Sequence, residues 1–166
     1  TMKVDESGEV LARSNVVVEG YWDQPDQTAL AIRDGYFHTG DGGSIDDSNY
    51  VIIADRKKDV IITGGENVSS IEVEDAIFQH PDVTEVAVIG IPDEKWGELV
   101  TALVVTAPGS TLTEDDVIAW AKTKLAGYKC PKKVEFRTEL ARTATGKLQK
   151  FKLREPFWAA HQRQVN

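Results

Sequence analysis

Cysteine, long apolar runs and, over most of the chain, positive charge are scarce in this sequence of 166 residues. Because Cys130 is the only cysteine, an internal disulfide framework is excluded, and a reducing, cytoplasmic location is the default expectation. No apolar run reaches the roughly 18 residues of a membrane helix, so we predict no transmembrane segment. The polar residues 1–6 argue against a secretory signal. Apolar residues make up 41% of the chain, enough to fill one or two small cores.

Positive charge is concentrated towards the end of an otherwise acidic chain. Residues 1–121 contain 7 Lys and Arg against 24 Asp and Glu, whereas residues 122–154 contain 11 against 2, and the net charge is −8. A basic segment on an acidic body predicts attraction of a small polyanion, although a solvated charged face explains the same pattern. The acidic total, without zinc-ligand spacing or an RNA-binding aromatic signature, argues against a nucleic-acid partner.

The first fifty residues alternate between short apolar segments and turns. Residues 8–13, 16–18 and 36–39 are predicted strands, and the polar stretch 23–26 and the glycine-rich stretch 40–43 are predicted turns. Because this part has too few apolar residues to close a core alone, we expect it to pack against another part of a larger protein.

The remaining residues predict a small α+β domain. The charged cluster 55–59 separates two short strands, and we place a domain boundary there, after residue 56. Beyond it we predict strands at 86–89, 99–105 and 134–136, and helices at 71–78, 113–125 and 149–157. Ser69 or Ser70 and Thr113 are the predicted N-caps. The expected architecture is a three-stranded sheet with packed helices.

A lysine at the tip of a glycine-containing loop is the most informative local feature. Residues 142–147 read RTATGK, and some eighty residues upstream a Gly-Gly turn reads TGGE at 63–66. Glycine adopts backbone conformations that other residues resist, so Gly146 suits a loop that presents the ammonium group of Lys147 to a phosphate. Taken alone, a Gly-Lys pair is more typical of a solvated lysine after a turn.

Three segments in order resemble the motifs of a known family. Residues 36–41 (YFHTGD), 55–67 (DRKKDVIITGGEN) and 145–148 (TGKL) are similar to three ordered motifs of the AMP-forming acyl-CoA synthetases, members of the adenylate-forming superfamily. The resemblance implies a two-step reaction: a carboxylate attacks the α-phosphate of ATP to give an acyl-adenylate and pyrophosphate, then the thiol of coenzyme A displaces AMP. It implies ATP, Mg²⁺ and coenzyme A, with a fatty acid as the favoured small-molecule carboxylate.

The resemblance also assigns roles around the nucleotide. Lys147 stands at the catalytic lysine position, where a cation stabilises the charge that gathers around phosphorus. Asp41 matches the carboxylate that accepts hydrogen bonds from the ribose hydroxyls, and Arg56 matches a nucleotide contact. Lys58 falls at the hinge about which the C-terminal domain rotates between the two steps. The alternatives are a turn aspartate, a surface arginine and solvated lysines.

A second set of residues resembles the coenzyme A site. Gly64 and Gly65 match a loop that lines the pantetheine tunnel, while an ordinary hairpin turn fits them as well. Trp96, Tyr128 and Lys132 match positions near the coenzyme A nucleotide, where aromatic and cationic groups suit an adenine that carries phosphates. A half-buried packing role is the alternative for Trp96.

Other polar residues carry no clear chemistry in the sequence. His38 and His80 lack metal-ligand spacing, so no metal site is predicted. Cys130 has no evident His or Asp partner for a nucleophilic role. Ala141 occupies a position where the family commonly has proline.

The resemblance covers nearly the whole chain, but the family's phosphate loop, adenine pocket and acyl tunnel have no counterpart in it. We therefore expect a fragment that is inactive alone: residues 1–56 from the final β-subdomain of a truncated N-terminal AMP-binding domain, and 57–166 as a movable lid. Its main partner would then be its own N-terminal domain, which would hold most of the ATP and Mg²⁺ contacts. The alternative function is a non-enzymatic module that binds a phosphorylated ligand or a protein through residues 122–154.

Overall fold

The computed structural model describes residues 1–161 and divides into two compact units, Thr1–Lys58 and Asp59–Asn166. The division falls within the charged cluster 55–59, two residues after the predicted boundary. That the first unit completes a larger N-terminal domain, and that the second is a movable lid, stay predictions.

The first unit is an antiparallel five-stranded sheet with one short helix. Its elements are β1 (Met2–Val4), β2 (Glu9–Ala12), α1 (Pro25–Ala31), β3 (Ile32–Arg33), β4 (Tyr36–Ile45) and β5 (Val51–Arg56). The strand order is β1-β2-β4-β3, and β5 pairs with β4. The ten-residue strand β4 is thus the common partner of β2, β3 and β5, and it carries the YFHTGD segment.

Three local predictions in this unit are wrong. The glycine-rich stretch 40–43 is not a turn but lies inside β4, where it pairs with β2 and β5. Residues 16–18 form no strand: the Val17 amide donates to the Ser14 carbonyl in a turn, and Val16 is 84% exposed. The polar stretch at 23–26 runs into α1, which begins at Pro25, where a fixed φ and a missing amide hydrogen are tolerated. Because α1 has seven residues and buries none of them, it leaves no apolar period in the sequence.

The second unit confirms the α+β class. After a 3-10 turn at Lys57–Asp59, its elements are β6 (Ile61–Thr63), β7 (Glu66–Val68), α2 (Ser70–Phe78), β8 (Val83–Asp93), β9 (Gly97–Thr106), α3 (Glu114–Lys122), β10 (Lys133–Phe136) and α4 (Lys150–Trp158). The sheet has five strands rather than the predicted three. The additional hairpin β6–β7 joins β9 through the pair Thr63 and Gly97, and β10 runs parallel to β9.

The hairpin β8–β9 is buried on both faces. On one face, Val88, Val104 and their neighbours belong to a core cluster with residues of α2 and α3. On the other, Ile89 and Leu103 belong to a second cluster against which the side chains of α4 pack. Strands covered on both faces read as nearly continuous apolar runs, which explains the pattern of residues 86–89 and 99–105.

Local capping signals set the starts of α2 and α3. The Ser69 side chain accepts a hydrogen bond from the Glu72 amide, so Ser69 rather than Ser70 is the N-cap. Thr113 and Asp116 form a reciprocal capping box, in which the hydrogen bond from the Thr113 hydroxyl lowers the pKa of Asp116. Within residues 1–161, no helix is long and apolar enough to cross a bilayer.

Candidate functional site

The loop at residues 142–148, which we call the lysine loop, has a defined closed shape. Arg142 and Leu148 form an isolated antiparallel bridge at its base. Inside it the Thr143 amide donates to the Lys147 carbonyl at 2.8 Å, and the Gly146 amide donates to the Thr143 carbonyl at 2.9 Å. Gly146 has φ of +84°, a conformation that favours glycine. The loop is therefore a turn that its own backbone hydrogen bonds close.

Lys147 is exposed at the tip of this loop. Its amide donates to the Thr143 hydroxyl oxygen at 3.0 Å, which fixes the start of the side chain. Among the described residues, its ammonium group has no hydrogen bond or ion pair. A cation on a fixed backbone with an unpaired end is suited to contact an incoming phosphate.

Most of the basic residues near Lys147 are already paired. Six of the eleven Lys and Arg in residues 122–154 contact a carboxylate within 4.0 Å. The ion pairs Lys150–Glu74 and Arg154–Asp59, both at 2.7 Å, are nearly buried and attach α4 to α2 and to the first residue of this unit. The charge segregation along the sequence is thus partly neutralised in space, which weakens the argument for a broad polyanion-binding patch.

The Gly-Gly turn contacts Trp96 directly. Gly64 and Gly65 connect β6 to β7 with φ of +59° and +85°, and the Gly64 amide donates to the Trp96 carbonyl at 2.8 Å. A Cβ added at Gly64 would lie 2.9 Å from Cε3 of Trp96, closer than real side chains approach. Trp96 is 40% exposed. The two sequence-predicted segments therefore form one surface, with the indole ring against the glycine backbone.

Tyr128 and Lys132 lie towards the same end of β9. The Lys132 amide donates to the Val100 carbonyl, four residues along the chain from Trp96 and so about 13 Å at strand spacing. Tyr128 is 45% exposed, and the Lys132 ammonium lies 3.5 Å from the Gly127 carbonyl oxygen. In the described part of the chain, no hydrogen bond or ring contact joins Trp96 to either residue.

The lysine loop and the Gly64–Trp96 surface lie at opposite ends of the hairpin β8–β9. The Arg142 guanidinium contacts Glu85, near the start of β8, whereas Trp96 immediately precedes β9, at the end where Asp93 pairs with Gly97. Asp93 is eight positions along β8 from Glu85, which at strand spacing is about 27 Å. The two surfaces therefore lie at well-separated positions on this unit.

In the first unit, Asp41 and Arg56 are cross-strand neighbours on β4 and β5. Arg56 Nε lies 3.6 Å from Asp41 Oδ1, and both side chains are partly exposed. A carboxylate beside a guanidinium offers an acceptor for hydroxyl groups and a donor for phosphate oxygens. Lys58 is exposed in the 3-10 turn, at the last position of this unit.

Comparisons with known proteins identify the family to which this part of the sequence is similar. The sequence profile of the AMP-binding enzyme C-terminal domain matches residues 72–147. Residues 72–147 thus correspond to the C-terminal domain of the AMP-binding enzymes. The matched part of this AMP-binding C-terminal domain includes Trp96, Tyr128, Lys132 and Lys147.

Relatives and solved structures place the chain among the adenylate-forming enzymes. It is 46% identical over 152 residues to a feruloyl-CoA synthase from Amycolatopsis sp, covering 92% of this chain and 31% of that protein. It is 48% identical over 152 residues to the long-chain-fatty-acid–CoA ligase FadD13 of Mycobacterium tuberculosis, covering 92% and 30%. ATP-bound MatB from Rhodopseudomonas palustris superposes with a TM-score of 0.86 at 43% identity, covering 93% and 31%. The chain thus spans about 30% of the length of these proteins, and the resemblance to acyl-CoA synthetases is confirmed.

Several residues that organise the AMP-binding C-terminal domain carry no local sequence signal. Glu85, Glu74 and Asp59 are the carboxylate partners of Arg142, Lys150 and Arg154, across separations of 57 to 95 residues. Glu98 is only 6% exposed, and its carboxylate accepts from the Ile62 amide beneath the Gly-Gly turn. Of these residues, only Glu98 lies beside a recognisable motif, because it directly follows Trp96 and Gly97.

A cluster in the first unit has ligand types that suit a metal but does not favour one. The carboxyl oxygens of Asp5 and Glu9 and an imidazole nitrogen of His38 lie within 4.8 Å of one another. Arg33 Nη2 is 2.9 Å from His38 Nδ1, and Lys57 Nζ is 3.6 Å from Glu9. Burial raises the pKa of Glu9, but hydrogen bonds from Gly40 and His38 and the charge of Lys57 outweigh it, so the pKa of Glu9 is lowered. These cations already balance the carboxylates, and a dication would have to displace them.

Cys130 is buried in the main core cluster, and its thiol lies 3.5 Å from the Ala126 carbonyl oxygen. Burial raises the pKa of this thiol, which disfavours the reactive thiolate. The residue packs as a small apolar group, in agreement with the absence of a catalytic partner in the sequence.

Proposed function

We propose that the protein containing this chain is an ATP-dependent, AMP-forming acid–thiol ligase. It activates a carboxylate as an acyl-adenylate and transfers the acyl group to coenzyme A. The observation that carries this proposal is the separation of two surfaces on one compact unit: the exposed Lys147 ammonium at one end of β8–β9, and the Gly64–Trp96 surface at the other. Adenylation needs a cation at the phosphate and thioester formation needs a path for coenzyme A, and these two needs account for two separate surfaces.

Lys147 acts in the first half-reaction. When the carboxylate attacks the α-phosphate, negative charge increases on the phosphoryl oxygens, and a positioned cation lowers the energy of that transition state. The proposal is supported by the unpaired ammonium group and by the hydrogen-bonded turn that holds its backbone. A lysine tied into an ion pair, as Lys150 is with Glu74, would not be available for this role.

Asp41 and Arg56 contact the nucleotide in this proposal. The Asp41 carboxylate accepts hydrogen bonds from the ribose hydroxyls, and Arg56 donates to the phosphates or orients Asp41. Their adjacency on β4 and β5 supports a joint role. We assign the remaining ATP contacts, and Mg²⁺, mainly to the part of the protein outside this chain.

The second half-reaction uses the Gly64–Trp96 surface. The missing side chains at Gly64 and Gly65 let the pantetheine arm pass close to the backbone, and the exposed indole supports it. Tyr128 and Lys132 contact the adenine and phosphates of coenzyme A further along β9. A rotation about Lys58 exchanges the two surfaces at the reacting centre, and the boundary between the compact units directly after Lys58 supports that position for the hinge.

The full-length protein tests this function through its two half-reactions. With ATP, Mg²⁺ and a panel of fatty acids and ferulate, we expect pyrophosphate exchange without coenzyme A, followed by acyl-CoA and AMP when coenzyme A is added. A fatty acid is the proposed substrate class, which is the class named for the relative FadD13. Formation of ADP and phosphate, or no exchange with any acid, would contradict the proposal.

The isolated chain is the matched control for the full-length protein. We expect it to catalyse no exchange and to bind ATP, AMP and coenzyme A weakly in calorimetry. Tight, saturable binding that weakens with salt would instead support the non-enzymatic phosphate-binding module.

A further inference from the structure

The Arg142 guanidinium connects the lysine loop to the central sheet. Its Nη2 and Nε donate to the Glu85 carboxylate at 2.6 and 3.2 Å, and its Nη1 donates to the Gly146 carbonyl at 2.8 Å. Gly146 directly precedes Lys147. One planar side chain therefore contacts both a carboxylate on β8 and the peptide that carries Lys147.

Glu85 provides a fixed point for this contact. It is in β8, where it pairs with Val105 of β9, the strand that β6, β8 and β10 all join. The lysine loop is held on its other side by Leu148, which packs against the cluster that contains Ile89, Leu103 and Leu140. The loop is thus attached to the sheet by an ion pair on one side and by apolar packing on the other.

The geometry of the guanidinium suits this task better than that of an ammonium. Its donors lie in a rigid plane, so it can bind a carboxylate through two nitrogens while the third donates elsewhere. The pair is also partly exposed, at 43% for Arg142 and 34% for Glu85. Exposed ion pairs contribute little to folding stability, so a strong effect of this pair is expected in positioning rather than in stability.

We propose that Arg142 and Glu85 are positioning residues for the adenylation half-reaction. They act through the Gly146 peptide to hold Lys147 where it meets the reacting phosphate, and they have no part in the coenzyme A step. This inference rests on the proposed function. It explains why an exposed loop at the tip of the unit has a defined shape, and it predicts a selective loss of one half-reaction.

The test uses single variants of the full-length protein. Arg142→Met should lower kcat for pyrophosphate release by between about 10-fold and about 100-fold, since misplacing a catalytic group by 1 Å can have an effect of about 100-fold. The rate of acyl-CoA formation from supplied acyl-adenylate, the KM for ATP and the melting temperature should stay unchanged. Arg142→Lys, which keeps the charge but cannot reach both partners, and Glu85→Gln should give intermediate losses of adenylation.

Glu135→Gln is the matched control, because Glu135 also accepts from an arginine, Arg137, with similar exposure but without contact to the lysine loop. It should leave both half-reactions unchanged. The inference is wrong if Arg142→Met leaves adenylation intact, or lowers both half-reactions equally at an unchanged melting temperature. If Arg142→Met unfolds the protein, the same criteria apply to Arg142→Lys and Glu85→Gln. Normal adenylation in Arg142→Met together with a large loss in Lys147→Ala would reject this inference alone and leave the proposed function standing.

Discussion

Replacing Lys147 with alanine in the full-length protein is expected to slow acyl-adenylate formation by about 10²-fold to 10³-fold. This corresponds to about 3 to 4 kcal/mol of transition-state stabilisation, the range observed for single donors that face a developing oxyanion. The second half-reaction can be started from supplied acyl-adenylate and coenzyme A, and it should proceed at its normal rate. The reason is that the lysine loop and the Gly64–Trp96 surface are separated by about 27 Å along β8. Quenched time courses of pyrophosphate release and of acyl-CoA formation measure the two steps separately.

Two further variants identify what the lysine contributes. Lys147→Arg keeps the charge, but its planar fork differs in shape from an ammonium, so adenylation should recover only in part. Lys122→Ala removes another exposed lysine of the same basic segment and should leave both steps unchanged. An adenylation rate in Lys147→Ala close to that of the unmodified protein would remove the role assigned to this residue.

The Gly64→Leu variant is expected to show the opposite selectivity. At φ of +59° and with Trp96 Cε3 2.9 Å from the position of a Cβ, a leucine must displace the indole ring and occupy the surface proposed for the pantetheine arm. Thioester formation should fall by at least about 100-fold, as expected for a thiol held out of reach of its target. Adenylation should continue, so acyl-adenylate should accumulate on the protein.

Gly109→Leu provides the control for backbone strain. Gly109 also has a positive φ, +81°, but lies in an exposed turn with no atom within 4 Å of an added Cβ. Both half-reactions should survive there. If Gly64→Leu forms thioester as fast as Gly109→Leu does, the Gly64–Trp96 surface does not line the path of coenzyme A.

The elements that the sequence predicts well are those set by local physics. The strands β8 and β9 appear as apolar runs because both of their faces are buried. The helices α2 and α3 begin where a serine or threonine side chain satisfies a free amide, a signal contained within four residues. The lysine loop and the Gly-Gly turn are visible for the same reason, since positive φ values restrict the residue type at single positions.

The features that escape the sequence depend on distant partners. Arg142 pairs with Glu85 across 57 residues, and Arg154 pairs with Asp59 across 95. Nothing local distinguishes these acidic residues from solvated ones, so the basic segment looks more positive along the chain than it is in space. The hairpin β6–β7 is missed as part of the sheet because its strands have three residues each and join β9 at a single pair.

The central claim is that one unit presents two surfaces in turn by a backbone rotation at Lys58. The most direct measurement is a single-turnover experiment on Lys58→Pro in the full-length protein, with pyrophosphate and acyl-CoA quantified in the same samples. Proline fixes φ near −65° and so prevents a change of φ at this residue, whereas Lys58→Ala removes the side chain and leaves φ free. The account predicts that Lys58→Pro keeps one half-reaction and loses the other, while Lys58→Ala does not separate them. Unchanged rates of both half-reactions in Lys58→Pro would contradict it.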